Sequence, residues 1–323
     1  MLLSKHIRFL LFLFLFAACK KDNISLDYTE INTGVNTKLR SIYFLDDTTG
    51  FVCGGEKNES GIILKTTDGG INWQQVYTST LSVRAITFVN NSLGFACGDS
   101  LLILKTLDGG LTWNNLEIPY IPVIITPFTS IQFLDAMHGY LCGGENADKG
   151  ITFRTADGGL SWDYQAFYNT EVTENIFIND TTGYITANGA VFKATANVLI
   201  NNFLNIEGDF FTSVCFTSAN EGFVCGYNGG IYKTSNGGVD WKQVRKDNSS
   251  FSARTHFNKI RFATEDKGFA VGNNGAVYYS SDAGENWKQS DNFPDENIYS
   301  VFILNANTAL FSAESGKIYK VAF

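Results

Sequence analysis

The feature that most constrains the fold of this chain is an eight-residue motif that contains all five tryptophans. Each copy reads Ser/Thr-x-Asp/Asn-x-Gly-x-x-Trp. The copies are Thr66–Trp73, Thr106–Trp113, Thr155–Trp162, Thr234–Trp241 and Ser280–Trp287. The copies begin 40, 49, 79 and 46 residues apart, and a motif that returns in this way predicts a repeat architecture.

A second shared segment lies upstream of each motif, and its central glycine sets the period. The first copy reads Phe44-x-Asp46-x-x-x-Gly50-Phe51-x-x-Gly54. The period suits one four-stranded blade, so the sequence predicts an all-β, seven-bladed β-propeller of four-stranded antiparallel blades. The equivalent positions are Gly50, Gly94, Gly139, Gly183, Gly222, Gly268 and Ala309, at steps of 44, 45, 44, 39, 46 and 41 residues.

Strand positions follow from short β-branched and aromatic runs that alternate with Gly, Asp and Asn. In the first repeat they predict strands at 39–45, 50–54, 61–66 and 73–78. The fourth repeat keeps three strands but has neither the Asp-Gly-Gly turn nor the Trp at 196–199, and the seventh stops after its third strand, at Phe323. We therefore expect residues 26–33 to complete the last blade, because closure removes exposed sheet edges.

The five turn motifs are predicted to be structural. The carboxylate or amide and the hydroxyl can accept hydrogen bonds from turn amides, the glycine allows a positive φ, and the Trp packs between sheets. Calcium binding is the alternative, but calcium needs several converging oxygen ligands and each turn offers one carboxylate. No metal or cofactor is expected. The turn residues are Asp68, Trp73, Asp108, Trp113, Asp157, Trp162, Asn236, Trp241, Asp282 and Trp287.

These motifs resemble the Asp-box of the bacterial neuraminidase repeat. Together with the Gly-Phe/Tyr strand, they resemble the photosystem II assembly and stability factor family over about residues 39–323. That resemblance implies a seven-bladed accessory protein rather than an enzyme. Sialidases, xyloglucan-degrading enzymes and sortilin-type receptors also carry the Asp-box, so a carbohydrate-binding or sialidase-like glycoside hydrolase propeller is the alternative.

The N-terminus has the features of a lipoprotein signal peptide at residues 1–18. Lys5 and Arg8 precede an apolar run at 9–18 that is too short to span a bilayer, and Ala17-Ala18-Cys19 resembles a lipobox. Cleavage would leave lipidated Cys19, a tether at 19–25 and a propeller at 26–323, anchored to the membrane by lipid. A plain secretory signal with a chance cysteine is the alternative. Lys20 is not the aspartate of the best-known retention rule, which favours an outer-membrane lipoprotein facing the periplasm or the exterior.

The net charge limits the classes of binding partner, and the cysteine positions indicate whether the thiols form disulfides. The net charge of −8 disfavours nucleic acid and anionic lipid as general partners. Four cysteines occupy one strand position where the other repeats have Thr186, Val271 and Ser312, which predicts buried, free thiols. A disulfide between Cys215 and Cys225 is the one pairing left open. The four equivalent cysteines are Cys53, Cys97, Cys142 and Cys225.

A candidate binding surface is expected at the end of the propeller opposite the Trp turns. Arg40 and Arg84 share one early position of the inner strand, and the apolar, proline-rich connection 118–128 carries Tyr120 and Phe128. That connection fits a binding surface or a buried edge strand equally well, with loops 55–60 and 144–149 beside it. The resemblance implies arginines that grip a partner, for which Arg40, Arg84 and Arg254 are the candidates. Positions equivalent to Arg40 and Arg84 are Thr129, Thr173, Thr212, Asn258 and Tyr299, and a basic cluster at the sixth repeat comprises Arg245, Lys246, Arg254 and His256.

Residues for catalysis are sparse. A sialidase needs an arginine triad and a tyrosine paired with a glutamate; Glu296 and Tyr299 are present, but the arginine contexts are not. His138 and His256 lie far apart in sequence, so metal or Cys/His catalysis lacks support. The sequence predicts a monomeric, lipid-anchored, non-catalytic propeller that binds a protein or peptide partner at the cell envelope and assists assembly of a membrane complex.

Overall fold

In the computed structural model, residues 23–118, 126–179, 181–195, 198–246 and 255–323 are described, and their regular structure is β-strand apart from the 3-10 turn Asp99–Leu101. Among these residues no helix is long and apolar enough to cross a membrane. Cys19, Tyr120 and Arg254 lie outside the described residues. The strands are β1 (Asp27–Asn32), β2 (Leu39–Phe44), β3 (Gly50–Gly54), β4 (Gly61–Thr66), β5 (Gln74–Ser79), β6 (Val83–Phe88), β7 (Gly94–Gly98), β8 (Ile103–Thr106), β9 (Asn114–Asn115), β10 (Phe128–Phe133), β11 (Gly139–Glu145), β12 (Lys149–Thr155), β13 (Asp163–Tyr168), β14 (Val172–Asn179), β15 (Thr182–Thr195), β16 (Val198–Phe216), β17 (Gly222–Gly226), β18 (Ile231–Thr234), β19 (Lys242–Arg245), β20 (Phe257–Phe262), β21 (Gly268–Gly272), β22 (Val277–Ser280), β23 (Lys288–Gln289), β24 (Ile298–Asn305), β25 (Thr308–Ala313) and β26 (Lys317–Ala322).

The described strands form six antiparallel sheets arranged as a propeller. Five sheets have four strands each, namely β2 to β5, β6 to β9, β10 to β13, β20 to β23, and β1 with β24 to β26; the sixth has six strands, β14 to β19. The inner strands β2, β6, β10, β14, β16, β20 and β24 contact one another in this order, and β24 returns to β2. They surround a central channel.

The prediction of seven blades is wrong, because the structure has six sheets. The fourth and fifth repeats share one sheet through strand β16. Its first part pairs with β15, from Asn202 opposite Lys193 to Asn205 opposite Ala190, and its last part pairs with β17. Between the first and second repeats the chain breaks at 80–82, from β5 to β6, whereas β16 runs without a break from the fourth strand of the fourth repeat into the first strand of the fifth.

The chain closes through its two ends, as the sequence predicts. Strand β1 pairs antiparallel with β26, from Asp27 opposite Ala322 to Asn32 opposite Lys317. Tyr28 packs edge-to-face on Tyr319 with ring centroids 5.5 Å apart, and Leu26 is 4% exposed. The sheet of β24 to β26 thereby gains its fourth strand from the N-terminal segment.

Phenylalanine and glycine positions recur because the two residues fit together. In the second repeat Phe88 pairs with Gly94 across β6 and β7, and a Cβ on Gly94 would lie 2.5 Å from the Phe88 ring. The glycine therefore makes room for the aromatic ring. The last repeat has Ala309 instead, and its partner is Ile303, a side chain without a ring.

The aromatic residue after each glycine joins neighbouring repeats. Phe51 stacks on Phe88 with centroids 4.4 Å apart, and Tyr184 stacks on Phe216 at 4.0 Å. A lysine of the third strand covers the other side of such a ring: Lys105 Nζ lies 5.3 Å from the centroid of Phe95 and donates to the carbonyl of Gly158 at 2.9 Å. A lysine of the third strand thus bridges adjacent repeats by a cation–π contact and a hydrogen bond.

The Trp turns have the internal bonds expected of the motif. In the first turn Gly69 and Gly70 have φ of 74° and 90°, and the Gly70 amide donates to Thr66 Oγ1 at 3.0 Å. The indole of Trp73 donates to the Gly70 carbonyl at 3.0 Å and packs edge-to-face on Phe44 at 6.1 Å. Each such turn therefore fixes its own backbone and holds one aromatic ring against the inner strand.

The cysteines of the described residues are free and buried. Cys53, Cys97, Cys142 and Cys225 are all 0% exposed, which confirms the prediction of a buried position. Burial raises the pKa of all five thiols, so they stay protonated and poorly nucleophilic. Cys215 and Cys225 are among the free thiols.

Candidate binding site at the channel opening

Residues from all seven inner strands line the opening of the central channel, and seven of them occupy the same early position of their strands. The opening is a cavity of about 190 Å³ at the end of the inner strands opposite the Trp turns. The structure therefore brings together Arg40, Arg84 and Tyr299, which the sequence placed at equivalent positions. The seven residues are Arg40, Arg84, Thr129, Thr173, Thr212, Asn258 and Tyr299.

Four of these residues hold the inner strands together. Thr129 Oγ1 donates to the Thr173 carbonyl at 2.7 Å, and Thr173 Oγ1 donates to the Phe211 carbonyl at 2.7 Å. Thr212 and Asn258 repeat the pattern, with bonds of 2.7 and 2.8 Å to the carbonyls of Phe257 and Ile298. Because their donors are used within the protein, these side chains are structural, and the arginines supply the charge at the opening.

The two arginines differ in how they are held. Arg84 Nε lies 2.5 Å from Asp99 Oδ1, and the Asp99 side chain is 2% exposed. Among the residues that the structure describes, Arg40 has no acidic partner within salt-bridge distance; its Nε donates to the Gly55 carbonyl at 3.3 Å and to Ser82 Oγ at 3.2 Å. Burial, with a contribution from Arg84, lowers the pKa of Arg40. The guanidinium of Arg40 is thus positioned by neutral groups and keeps an unneutralised charge.

Tyr299 lies beside the arginines at the opening. The Arg40 guanidinium lies 5.8 Å from its ring centroid, and its hydroxyl donates to Glu314 Oε1 at 2.7 Å. Burial and this bond raise the pKa of Tyr299, so the phenol stays protonated. Glu296 is not its partner and instead contacts Lys317 at 2.5 Å and Tyr319 at 2.8 Å.

The remaining predicted positions are dispersed. Phe128 is 0% exposed and packs edge-to-face on Phe153 at 5.1 Å, so it belongs to the core and offers no surface. His256 stacks on Tyr227 with ring centroids 3.8 Å apart. Arg245 of the sixth-repeat cluster is enclosed by aromatic rings, 4.2 Å from the centroid of Tyr278. Loops 55–60 and 144–149 meet through an ion pair between Lys57 and Glu145.

A charged cluster inside the channel escaped the sequence reasoning. Glu174 of β14, whose side chain is 4% exposed, contacts Lys259 Nζ at 2.5 Å and Arg261 Nη2 at 2.6 Å, both on β20. Its second oxygen accepts from Ser213 Oγ at 2.6 Å and the Val214 amide at 2.8 Å. Burial alone would raise the pKa of Glu174, but the two cations outweigh it and lower the pKa to about 2. The inner-strand position after the opening residue carried a signal: five repeats place Ser or Ala there, and two place Glu174 and Lys259.

Exposed aromatic residues near the opening were also missed. Tyr227 is 46% exposed and Phe210 is 47% exposed, and the Tyr227 amide donates to the Phe210 carbonyl at 2.9 Å. Tyr227 stacks on His256, and Phe210 precedes the opening residue Thr212 by two positions in β16. Large exposed rings on a rigid scaffold are available for contacts with another molecule.

The arrangement suits binding through hydrogen bonds and charge more than bond cleavage. Among the described residues, no group of three or more His, Cys, Asp or Glu side chains is placed to hold a metal ion. Glu174 contacts two cations that hold it in the charged form, Asp99 is ion-paired with Arg84, and the Tyr299 hydroxyl donates a hydrogen bond to Glu314. The opening offers guanidinium donors to an acceptor-rich ligand.

Comparison with known proteins places the fold. A solved structure described as YCF48 bound to D1 peptide is 18% identical, with a TM-score of 0.73 over 93% of this chain and 99% of that one. YCF48 from Cyanidioschyzon merolae is 14% identical, with a TM-score of 0.72 over 91% and 98% of the two chains. The WD40 β-propeller domain of Doa1 is 13% identical, with a TM-score of 0.72 over 92% and 97%. At these identities the likeness shows the fold alone.

Sequence comparison identifies the family. No curated protein matches the chain. The family model described as Photosynthesis system II assembly factor YCF48 matches residues 20–126 and 201–322, which is well over half of the sequence. The unmatched stretch between them includes the fourth repeat, whose Trp turn is missing. The chain therefore belongs to the Photosynthesis system II assembly factor YCF48 family.

Proposed function

We propose that this chain is a non-catalytic, lipid-anchored propeller that binds a protein or peptide partner at the cell envelope and assists assembly of a membrane complex. The observation that carries the proposal is the pair Arg40 and Arg84 at the channel opening. No acidic side chain of the described segments lies within salt-bridge distance of Arg40, whose Nε donates to neutral groups, so its guanidinium can donate hydrogen bonds to a carboxylate or to backbone carbonyls of another chain. Arg84, fixed by Asp99, adds donors with a set orientation.

Family membership supports a binding role. One structurally similar protein is described as YCF48 bound to D1 peptide, so a propeller of this shape can hold a peptide. The exposed rings of Tyr227 and Phe210 would extend the contact area beyond the arginines. We place the partner across the opening, with its acidic or carbonyl-rich part over Arg40.

Membrane attachment is part of the proposal and has support only from the sequence. The basic residues Lys5 and Arg8, the apolar run at 9–18 and Ala17-Ala18-Cys19 support lipidation at Cys19 and an outer-membrane location. Metabolic labelling with a fatty-acid analogue should modify the wild-type chain, whereas Cys19→Ser should remain unlabelled. Labelling of the Ser variant would contradict lipidation at this residue.

The binding role is tested by affinity purification from the native membranes. We expect Arg40→Gln/Arg84→Gln to lose at least about tenfold of a specific partner, since charge-assisted hydrogen bonds contribute about 1.5–3 kcal/mol each. Glutamine is preferred to glutamate because a carboxylate at position 84 would face Asp99, which lies 2.5 Å from Arg84. Lys242→Gln is the control, because its side chain is 74% exposed on the outer strand β19. Equal recovery from both variants would contradict the proposed surface.

A carbohydrate ligand is the second candidate, favoured by the stacking of Tyr227 on His256 at 3.8 Å beside exposed Phe210. Sugars bind to exposed aromatic faces of this kind. A glycan array distinguishes the two roles: saccharide binding that is lost in Tyr227→Ala and retained in Arg40→Gln/Arg84→Gln would favour this candidate over the peptide. If no saccharide on the array binds, a carbohydrate ligand is excluded as the second candidate.

A further inference from the structure

We propose that the end of the propeller that carries the five Trp turns, the Trp-turn face, lies on the surface of a lipid bilayer, with apolar side chains at the tips of the turns inserted into it. The channel opening, at the other end of the inner strands, then faces away from the membrane and towards its partner. The inference rests on the proposed function for the lipid at Cys19. The apolar tips are an independent observation.

One position of the Trp turn is aliphatic and exposed in four of its five copies. This position follows the last glycine of the turn, and in the four copies its side chain is between 62% and 81% exposed. A single exposed aliphatic residue on a surface needs no explanation. Four at the same position of a repeat indicate a contact outside the chain, because none of them packs in the core. The four residues are Ile71, Leu111, Leu160 and Val239.

Exposed aliphatic side chains are concentrated at this end of the molecule. Among the residues that the structure describes, the exposed Ile, Leu, Val and Met side chains all lie in its turns: the four tips, Leu107 and Met137. Leu107 belongs to the same turn as Leu111. The Met137 carbonyl accepts from the Gly158 amide at 2.9 Å, so Met137 lies beside the turn of Leu160. All but Val239 therefore belong to the first three repeats, whose inner strands are neighbours, and they form one apolar arc.

The N-terminal segment reaches the propeller from the same end. Ile24 pairs in parallel with Ser290, and its amide donates to the Gln289 carbonyl at 2.9 Å. Strand β23 begins at Lys288, directly after the turn Ser280–Trp287. Because paired parallel segments run in the same direction, the chain before Ile24 leads back towards the Trp-turn face.

A short tether limits how the molecule can be oriented on a membrane. From Cys19 to Ile24 the chain advances by five residues, which span at most about 18 Å when fully extended. The opening lies one inner strand farther away, about 20 Å for the six residues of β2. A lipid on Cys19 can therefore hold the Trp-turn face against a bilayer, but it cannot bring the opening to the same surface.

The charge of this face indicates the kind of lipid. Asp68 and Asp108 are exposed beside the tips, and the fifth turn has Glu285 at its tip, paired with Lys233 at 2.9 Å and with Lys242 at 3.1 Å. In a chain of net charge −8, these carboxylates would be repelled by acidic headgroups. We therefore expect attachment to zwitterionic lipid, stabilised by the removal of aliphatic surface from water.

The five tryptophans are a native probe of this contact, because all of them lie in the turns. The full chain, purified in detergent, is reconstituted into vesicles of phosphatidylethanolamine and phosphatidylcholine whose acyl chains carry bromine, a short-range quencher of tryptophan fluorescence. We expect quenching relative to the same vesicles without bromine. Leu111→Gln/Leu160→Gln should lose at least about half of this quenching, because it removes apolar surface that inserts into the bilayer.

Three further variants make the test specific. Tyr168→Gln/Tyr227→Gln is the matched control, since these side chains are also exposed but lie at the ends of β13 and β17 away from the turns, and its quenching should equal that of the wild type. Trp287→Phe removes the tryptophan nearest to the N-terminal segment, and the other four should still be quenched. Circular dichroism checks folding; if the leucine variant does not fold, Ile71→Gln/Val239→Gln takes its place with the same expectation.

Three results would each overturn the bilayer contact: no quenching in the wild type, equal quenching in the folded leucine variant, or quenching that disappears with Trp287. The last result would mean that the tether alone holds the molecule near the membrane. The intact mass of the same sample reports acylation separately. A chain without acyl groups would contradict the proposed lipid anchor, whereas the quenching of that chain and of its leucine variant would still decide whether the Trp-turn face contacts the bilayer.

Discussion

The Trp turns share one hydrogen-bond pattern that different pairs of side chains can make. In the first turn Asp68 Oδ1 accepts from the Asn72 amide at 2.9 Å and Oδ2 accepts from Asn72 Nδ2 at 2.8 Å. In the turn Thr234–Trp241 the amide and the carboxylate exchange places. Asn236 Oδ1 accepts from the Asp240 backbone amide at 2.9 Å, and Asn236 Nδ2 donates to Asp240 Oδ2 at 2.9 Å. Three turns pair a carboxylate with an amide, in either order, and the other two pair the carboxylates of Asp108 and Asp157 with the hydroxyls of Thr112 and Ser161.

This reversal predicts that the pair can be exchanged. Asp68→Ala should lower the Tm, because both the backbone N–H and the side-chain Nδ2 of Asn72 lose their acceptor. Asp68→Asn/Asn72→Asp should recover most of that loss, because it copies the arrangement of Asn236 and Asp240. Thermal unfolding at pH 7 compares the three proteins. A double variant no more stable than Asp68→Ala would show that the pair is not equivalent to the later turn.

The buried Glu174 carries a second prediction at the residue scale. Glu174→Gln leaves Lys259 and Arg261 without their counter-charge in the channel, which should cost about 3–5 kcal/mol of unfolding free energy. The folded-state pKa of about 2 lies below the unfolded value of about 4.3. The stabilisation is therefore complete above about pH 4.3 and is lost as the pH falls towards 2.

Urea unfolding between pH 6 and pH 2.5 measures this effect. The difference in unfolding free energy between the wild type and Glu174→Gln should shrink as the pH falls below about 4. Glu59→Gln is the control, because Glu59 is exposed in loop 55–60 and should change the stability by less than about 0.5 kcal/mol. A difference independent of pH would contradict the role of the Glu174 charge.

The sequence could not supply this cluster, because its contacts are remote. Lys259 and Arg261 follow Glu174 by 85 and 87 residues. The repeat places Arg40, Arg84 and Tyr299 at one position of the inner strand, and therefore at one opening, since equivalent positions share a height. The repeat pattern does not predict which long side chain reaches across the channel. That depends on side-chain length and on the small Ser213 between Glu174 and β20.

At the scale of elements, strand bounds were predictable and sheet separation was not. The first repeat has strands Gly50–Gly54 and Gly61–Thr66, at the predicted positions, because Gly and the Trp turn mark both ends. Strand β16 runs through Val198–Phe216 without the break that separates β5 from β6 at 80–82. No local sequence pattern shows that two repeats share a sheet, because sheet pairing depends on contacts between strands.

The paired glycine and aromatic residue give a prediction for an element. Gly94→Ala places a Cβ 2.5 Å from the Phe88 ring and should cost about 1–3 kcal/mol, as overpacking does. Phe88→Ile removes the ring, as Ile303 does opposite Ala309. The double variant should therefore lose at least about 1 kcal/mol less than the sum of the two single variants.

Urea unfolding of the four proteins completes the cycle. Gly94→Ala combined with Phe177→Ile, whose ring packs over Gly183 instead, is the control and should be additive within about 0.5 kcal/mol. If the effects of Gly94→Ala and Phe88→Ile on the unfolding free energy are also additive, the close approach of the two residues does not cause the destabilisation by Gly94→Ala.

At the scale of the whole molecule, β1 decides whether the sheet of β24 to β26 has a fourth strand on its outer side. The segment 24–32 contributes buried Leu26, the contact of Tyr28 with Phe293 at 4.5 Å and the full antiparallel pairing with β26. A protein that lacks residues 27–32 would present β26 unpaired. Its free N–H and C=O groups would then be available to pair with another chain.

We expect this deletion to lower the Tm by on the order of 10 °C, since a loss of several kcal/mol shifts the Tm by about 2–4 °C per kcal/mol in a large domain. It should also cause concentration-dependent association, detected by light scattering after size exclusion. A synthetic peptide of residues 24–33 should add to the open edge as a strand and restore a monomer with a higher Tm, whereas a peptide of the same composition in scrambled order should not. A deleted protein that stays monomeric with an unchanged Tm would show that the sheet of β24 to β26 is stable with three strands, and that β1 serves to fix the N-terminal segment rather than to close the propeller.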